Sequence, residues 1–276
     1  MPSKKDTSEL IGQIPRSSPV QDVFGWTVPV EQIPLPSNGV LYPKTSALYG
    51  RETVQIKAMT AQEEDILMSR ALIKEGTVIQ HLIKSCLIDR SIDPEDFLIG
   101  DRNAVLVAIR ITGYGSDYRA PVTCPSCSKL DTHTFDLASL GIKRLTVEPI
   151  APGVNEFEFK LPVTGKKVTF KLISSRDEEE DAKTRARMQQ LFPDAKNEND
   201  VTRILERQIV SIDGHRERTA ISAFIKAMPA RDSRDLRSYM SKIDPGIDMS
   251  VDVKCRFCGG ESKVGLPIGV SFFWPE

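Results

Sequence analysis

The chain has 276 residues, 40% hydrophobic and 27% charged, enough to bury one large core or two modest ones. Lys and Arg number 37 against 38 Asp and Glu, a formal net charge of -1, which excludes a global field drawing the protein to nucleic acid or an anionic membrane. No apolar run approaches the roughly 18 residues of a membrane span, and the opening MPSKKDTSELIGQIPRSSPV lacks the apolar stretch of a secretory signal, so a reducing cytosol is expected.

Residues 1–45 form an extended, flexible N-terminal arm in this reading, because Pro15, Pro19, Pro29, Pro34, Pro36 and Pro43 forbid a long helix. Phe24, Trp26, Leu35 and Tyr42 make it too apolar for a linker, so it docks on its own domain or on a neighbouring subunit.

Residues 46–115 read as a mainly helical module. ETVQIKAM (52–59) alternates as a strand, and Thr60 with Glu63 has the spacing at which each side chain satisfies the other's free backbone N–H at a helix start. Val78, Leu82, Ile83 and Cys86 recur at helical spacing, so Cys86 is expected in the core. Asp93-Pro94 starts a short turn, and a longer helix follows Asp101 and ends at Gly113 and Gly115.

Residues 116–136 hold the first Cys-x-x-Cys, and 248–276 hold the second with an aromatic tail. Between them, 137–247 read as an inserted β-hairpin (155–173) followed by helices: one from Ser175 with a capping box to Glu178, one over NDVTRILERQIVSI, then RTAISAFIKAM and SRDLRSYMSKI. The fold class is therefore α+β.

APVTCPSCSKLDTHTF and VDVKCRFCGGESKVGL are the one internal echo. Cys124, Cys127, Cys255 and Cys258 each sit where one strand turns into the next, a turn that brings two thiolates together under backbone N–H groups. Two such knuckles face to face make a four-cysteine zinc ribbon, built from two distant β-hairpins and split by the inserted α/β segment. The soft ligand set selects zinc and also admits iron. Structural zinc binds with an apparent roughly 10 to 16 kcal/mol, so its loss is expected to unfold the chain. Two sites completed by other subunits, and free or disulfide-bonded thiols, are the alternatives.

Three histidines, His81, His133 and His215, are too few and too scattered for a triad or a three-histidine metal centre. GYGSDY lacks the lysine and the strand-to-helix setting of a phosphate loop, and RDEEED suits a solvated helix start. Phe272, Phe273 and Trp274 are costly to leave in water, at about 25 cal/mol per Å². They pack on the core or insert into a partner.

LPSNGVLYP, VQIKAMTAQEEDILMSRALIKEGTVI, FLIGDRNAVLVAIRITGYGSDY and the CPSC knuckle resemble the baseplate hub subunit family of contractile-tailed, T-even-like bacteriophages, over roughly residues 30–175. The resemblance implies a non-enzymatic structural or assembly component of the virion tail baseplate, assembled in the host cytoplasm. Its implied partners are other hub proteins, the tail tube or the tape-measure protein, with no membrane or nucleic acid and with homo-oligomers allowed. Gly39, Tyr42, Tyr114, Tyr118, Phe272, Phe273 and Trp274 are the candidate partner contacts.

The alternative reading is a zinc-ribbon nucleic-acid-binding protein. It requires basic and aromatic residues around the knuckles, where Lys129, Lys254, Arg256, Phe257 and Lys263 are balanced by Asp131, Asp252 and Glu261.

Overall fold

The computed structural model of the protein describes residues 5–6, 20–21, 27–191, 200–266 and 268–274. Phe24 and Trp26 of the arm lie outside them, as do Pro15 and Pro19. Strands β1 (Lys5–Asp6), β2 (Val20–Gln21) and β3 (Thr27–Val28) are two residues each, and β2 pairs with β3.

From Val30 the arm belongs to the body. β4 (Val30–Pro34) pairs antiparallel with β5 (Thr53–Lys57), Val30 opposite Lys57 and Pro34 opposite Thr53. Between these strands the chain turns at Gly39, whose φ of +71° suits glycine and whose added Cβ would fall 2.5 Å from the Arg51 backbone nitrogen and oxygen. Ile33, Leu35, Leu41 and Tyr42 are buried, so this part of the arm docks on its own domain.

Helices α1 (Ala61–Met68), α2 (Arg70–Glu75) and α3 (Val78–Cys86) follow. The Thr60–Glu63 box opens α1 with both reciprocal bonds present, and the periodic face of α3 buries Val78, Leu82, Ile83 and Cys86. A 3-10 turn at Pro94–Asp96 is capped by the Asp93 carboxylate, which accepts from the Glu95 N–H at 3.0 Å.

Helix α4 (Ile99–Tyr114) is the axle of the molecule. Every residue from Ala104 to Arg110 is buried, as expected of a helix apolar on all sides. It starts at Ile99, ahead of the start expected after Asp101. Gly113 stays inside it, where a Cβ would fall 2.9 Å from the Met59 Cε, and Gly115, at φ +85°, ends it. Arg110, in mid-helix, is buried and ties three carbonyls together: Gly115 at 2.9 Å, Asp117 at 3.0 Å and Phe272 at 3.1 Å.

At the other end of α4, Asp101 is wholly buried. It accepts from the Ser37 N–H (2.9 Å), the Ser37 hydroxyl (2.5 Å) and the Tyr42 hydroxyl (2.5 Å), while the Tyr42 oxygen accepts from the Leu98 N–H at 3.1 Å. Burial raises both Asp101 and Tyr42 above their ordinary ranges despite these bonds. The arm is thus stapled to the first turn of the axle.

The next hairpin is β6 (Asp117–Thr123) with β7 (Leu130–Asp136). The chain continues through β8 (Gly141–Lys143), β9 (Phe157–Lys160) and β10 (Lys167–Phe170) into α5 (Ser175–Leu191) and α6 (Asp200–Gln208). Then come β11 (Ile209–Ile212), α7 (Arg218–Ala227), α8 (Ala230–Ile243) and β12 (Gly246–Ile247). The last hairpin is β13 (Ser250–Lys254) with β14 (Glu261–Gly265), before a 3-10 turn at Val270–Phe273.

Three expectations change here. IVSI is a strand rather than the end of a helix: its β-branched residues pair with β10, Val168 opposite Ile212, making the sheet β11-β10-β9. The cap of α5 sits one residue earlier than predicted, with the Ser174 N–H and hydroxyl donating to Asp177 (3.0 and 2.8 Å) while Ser175 is buried. The inserted segment, moreover, closes on itself without an ion, because β8 pairs with β12 in the order β1-β8-β12, Ile142 opposite Ile247.

One continuous apolar cluster runs from Ile33 and Leu41 through Leu106 and Phe170 to Leu236 and Phe272. The structure is a mixture of helices and small antiparallel sheets, α+β.

Candidate metal centre

The two hairpins carry the same turn at their tips. In the first, the Cys124 N–H donates to the Lys129 carbonyl (3.0 Å) and the Ser128 N–H to the Cys124 carbonyl (2.8 Å). In the second, the Cys255 N–H donates to the Gly260 carbonyl (2.9 Å) and the Gly259 N–H to the Cys255 carbonyl (2.9 Å). The fifth residue is left-handed in both, Ser128 at φ +57° and Gly259 at φ +70°. This geometry folds each Cys-x-x-Cys back so that both sulfurs point inward under backbone N–H groups.

The tips meet. Cys124 Sγ lies 3.7 Å from Cys258 Sγ and Cys127 Sγ 3.7 Å from Cys255 Sγ, and all four sulfurs fall within 4.8 Å of one another. No disulfide joins any of the five cysteines. A tetrahedral ion with metal–sulfur bonds of about 2.3 Å requires sulfurs about 3.8 Å apart. The two cross-pairs match that spacing, so the four cysteines can hold one metal ion.

The electrostatics agree. N–H groups of Cys127 and Ser126 pull the Cys124 thiol down to about 6, and those of Cys258 and Phe257 lower Cys255. For Cys127 the Lys129 N–H favours the thiolate, yet partial desolvation and the neighbouring sulfurs hold it up at about 11. Four thiolates this close repel unless a cation lies among them.

Sequence reasoning noted the charges near the knuckles but missed the connection they make. Arg256 donates through Nε to Asp131 Oδ2 (2.7 Å) and through Nη2 to Asp131 Oδ1, spanning the two hairpins. The arginine draws Asp131 below the ordinary carboxylate range. Only distance in space could show this, since the partners are far apart in the chain. His133 stands beside Asp131, its Nε2 3.6 Å from Oδ2, and outside the sulfur cluster. Cys86 is buried elsewhere, its thiol pushed up to about 12 first by burial and then by the Glu63 charge.

The candidate partner contacts lie largely inside. Gly39, Tyr42, Tyr118, Phe272 and Phe273 are buried, Tyr118 and Phe272 with ring centroids 5.0 Å apart and Phe272 edge-on to Phe273 at 5.3 Å. Rings of this size gain more from their own core than a surface position would return. Tyr114, whose hydroxyl donates to Glu64, and Trp274 are half-buried.

No helix among the described residues is long and apolar enough to cross a membrane. No curated protein and no solved structure matches the chain. The family model described as T4 bacteriophage base plate protein matches residues 35–274, from the stapled arm through both knuckles to the aromatic tail. Over that span, most of its length, the chain belongs to the T4 bacteriophage base plate protein family.

Proposed function

We propose that this protein is a non-enzymatic structural or assembly component of the baseplate hub, working by protein–protein binding and stabilised by one zinc ion in a four-cysteine ribbon. Family membership supports a place in the tail baseplate of the virion. The observation that carries the metal reading is the apposition of four sulfurs within 4.8 Å, supplied by two turns of equal geometry. With four protein ligands the coordination is filled, which leaves no open position for catalysis and makes the ion a clamp between hairpins.

Zinc suits an all-thiolate tetrahedron without redox demands, and iron is the competing occupant. The neighbours are other hub proteins, the tail tube or the tape-measure protein, with half-exposed Tyr114 and Trp274 among the contact candidates.

Two measurements test the reading. Elemental analysis of the purified full chain is expected to return one zinc per chain; iron would replace zinc, and no stoichiometric metal would overturn the clamp. Cryo-electron microscopy of purified baseplates is expected to show this chain at the hub. Its presence in assembly intermediates but not in finished tails would make it an assembly factor, and absence from both would overturn the reading.

A further inference from the structure

The knuckle tips carry an exposed aromatic ring with a cation held over it. Phe257, the third residue of the second Cys-x-x-Cys, is 54% exposed. One exposed ring is ordinary on a protein surface and by itself carries nothing. Here, however, the ammonium of Lys129, from the other knuckle, lies 4.8 Å from the ring centroid. Among the described residues Lys129 has no carboxylate partner. Arg256, next to Phe257, spends Nε and Nη2 on Asp131 and, among the described residues, keeps Nη1 without a partner, and its side chain is 66% exposed.

We infer that Lys129, Arg256 and Phe257 form a docking surface for a protein segment that presents a carboxylate beside an apolar side chain, supplied by another baseplate protein. The surface is composite, since Lys129 comes from one hairpin and Phe257 from the other, and it exists only where the two tips are apposed. The carboxylate pairs with Lys129 and the open Arg256 nitrogen, and the apolar side chain covers the uncovered part of the Phe257 ring.

Charge complementarity decides between this occupant and a nucleic acid. The neighbouring cations are neutralised locally: Lys254 faces Glu261 at 3.7 Å, Lys263 faces Asp248 at 3.7 Å, and Arg256 is paired with Asp131. One uncompensated lysine suits a single carboxylate. A phosphate backbone gains affinity in proportion to the number of charges neutralised, and it would find too few here. Exposed aromatic and arginine side chains are also the residue types that anchor protein interfaces. The inference rests on the protein-binding reading above and not on the identity of the ion.

The test replaces Phe257 with the photo-crosslinking aromatic residue p-benzoylphenylalanine in the full chain during tail assembly in infected cells, and maps the crosslinked peptide. The expected result is a crosslink to one other tail protein, at a segment with Asp or Glu adjacent to an apolar residue. Lys129→Glu is expected to cut the yield by about tenfold or more, the loss of one interface anchor, and Lys129→Arg to retain it. Crosslinking to nucleic acid, to a second copy of this chain, to a segment without carboxylates, or to nothing would overturn the proposal, as would a yield unchanged by Lys129→Glu. Mass spectrometry of the same tails records whether the chain is present, so failure of the baseplate reading is told apart from failure of this surface.

Discussion

Arg256 and Asp131 form a two-bonded ion pair between the hairpins, one partner directly after Cys255 and the other two residues beyond the first knuckle's turn. Asp131 is 8% exposed and also accepts from the Thr132 N–H at 2.8 Å, so its carboxylate is fixed and holds the arginine fork in place. Removing the fork frees the hairpins to separate while leaving every sulfur intact. Arg256→Ala is expected to weaken metal binding by about ten- to a hundredfold, the usual effect of losing a contact behind the ligands. Competition against a chelator of known affinity measures it. Arg256→Lys recovers only part, because one ammonium cannot make both bonds.

Acid stability is expected to turn on Glu63. It is fully buried; burial raises it, but Lys57 Nζ (2.7 Å), the Ser85 hydroxyl (2.5 Å) and the Thr60 hydroxyl and N–H (2.6 and 2.9 Å) outweigh this and hold it at about 2. A depressed carboxylate contributes stability that is complete above its unfolded value of 4.5 and is lost as pH falls through 2. The contribution is roughly 3 kcal/mol near neutrality. Glu63→Gln is expected to lower stability by about that amount at pH 7 and to converge on the parent near pH 2, read from urea unfolding across the range.

The same residue shows what was legible in the sequence. Thr60 and Glu63 are three apart, and their bonds are local, so spacing alone predicted them; the four cysteines were legible because thiols in turns have few structural uses. Apart from small shifts at two helix starts, the failures are long-range. Ile209–Ile212 continues a helical pattern and becomes a strand only because β10, some 40 residues earlier, offers an edge. Strands β8 and β12 are three and two residues long, too short for any periodicity. Nothing local in the sequence marks Asp101 or Arg110 as buried, and both are enclosed by segments that arrive from 59 or more residues away. Phe272 and Phe273 had two readings, core or partner, and the Arg110 bond to the Phe272 carbonyl shows why the core holds them.

The repeated knuckle contains its own control. Ser128 and Gly259 occupy the same left-handed position, where a side chain costs about 1 to 2 kcal/mol and glycine costs nothing. A Cβ on Gly259 would meet nothing within 4 Å, so the backbone alone decides the outcome. Ser128→Gly is expected to stabilise the protein by about 0.5 to 1 kcal/mol and Gly259→Ala to destabilise it by about 1. Chemical denaturation of the three proteins gives the order, and equal midpoints would contradict the shared geometry.

Removing the metal and removing a glycine are expected to act on different scales. The ion would clamp only the hairpin tips, while β8 pairs with β12 and Gly246 rests on Gly100 in the first turn of α4. Chelation is therefore expected to lower the melting temperature yet leave helical circular dichroism and a cooperative transition, contrary to the unfolding anticipated when the ion alone closes the insertion. Gly100→Ala reaches deeper: its Cβ would fall 1.7 Å from the Pro245 carbonyl oxygen and 2.9 Å from the Gly246 Cα, both backbone atoms that cannot rotate aside. The end of the insertion must lift from the helix, and with it the β12 edge that holds β8. A loss of roughly 3 kcal/mol or more is expected, at the upper end for overpacking. Gly246→Ala, whose Cβ would sit 3.1 Å from the Gly100 Cα, is expected to cost less. Denaturation midpoints that place Gly100→Ala above Gly246→Ala, or chelated protein without cooperative melting, would show that the ion and not the glycine contact holds the insertion.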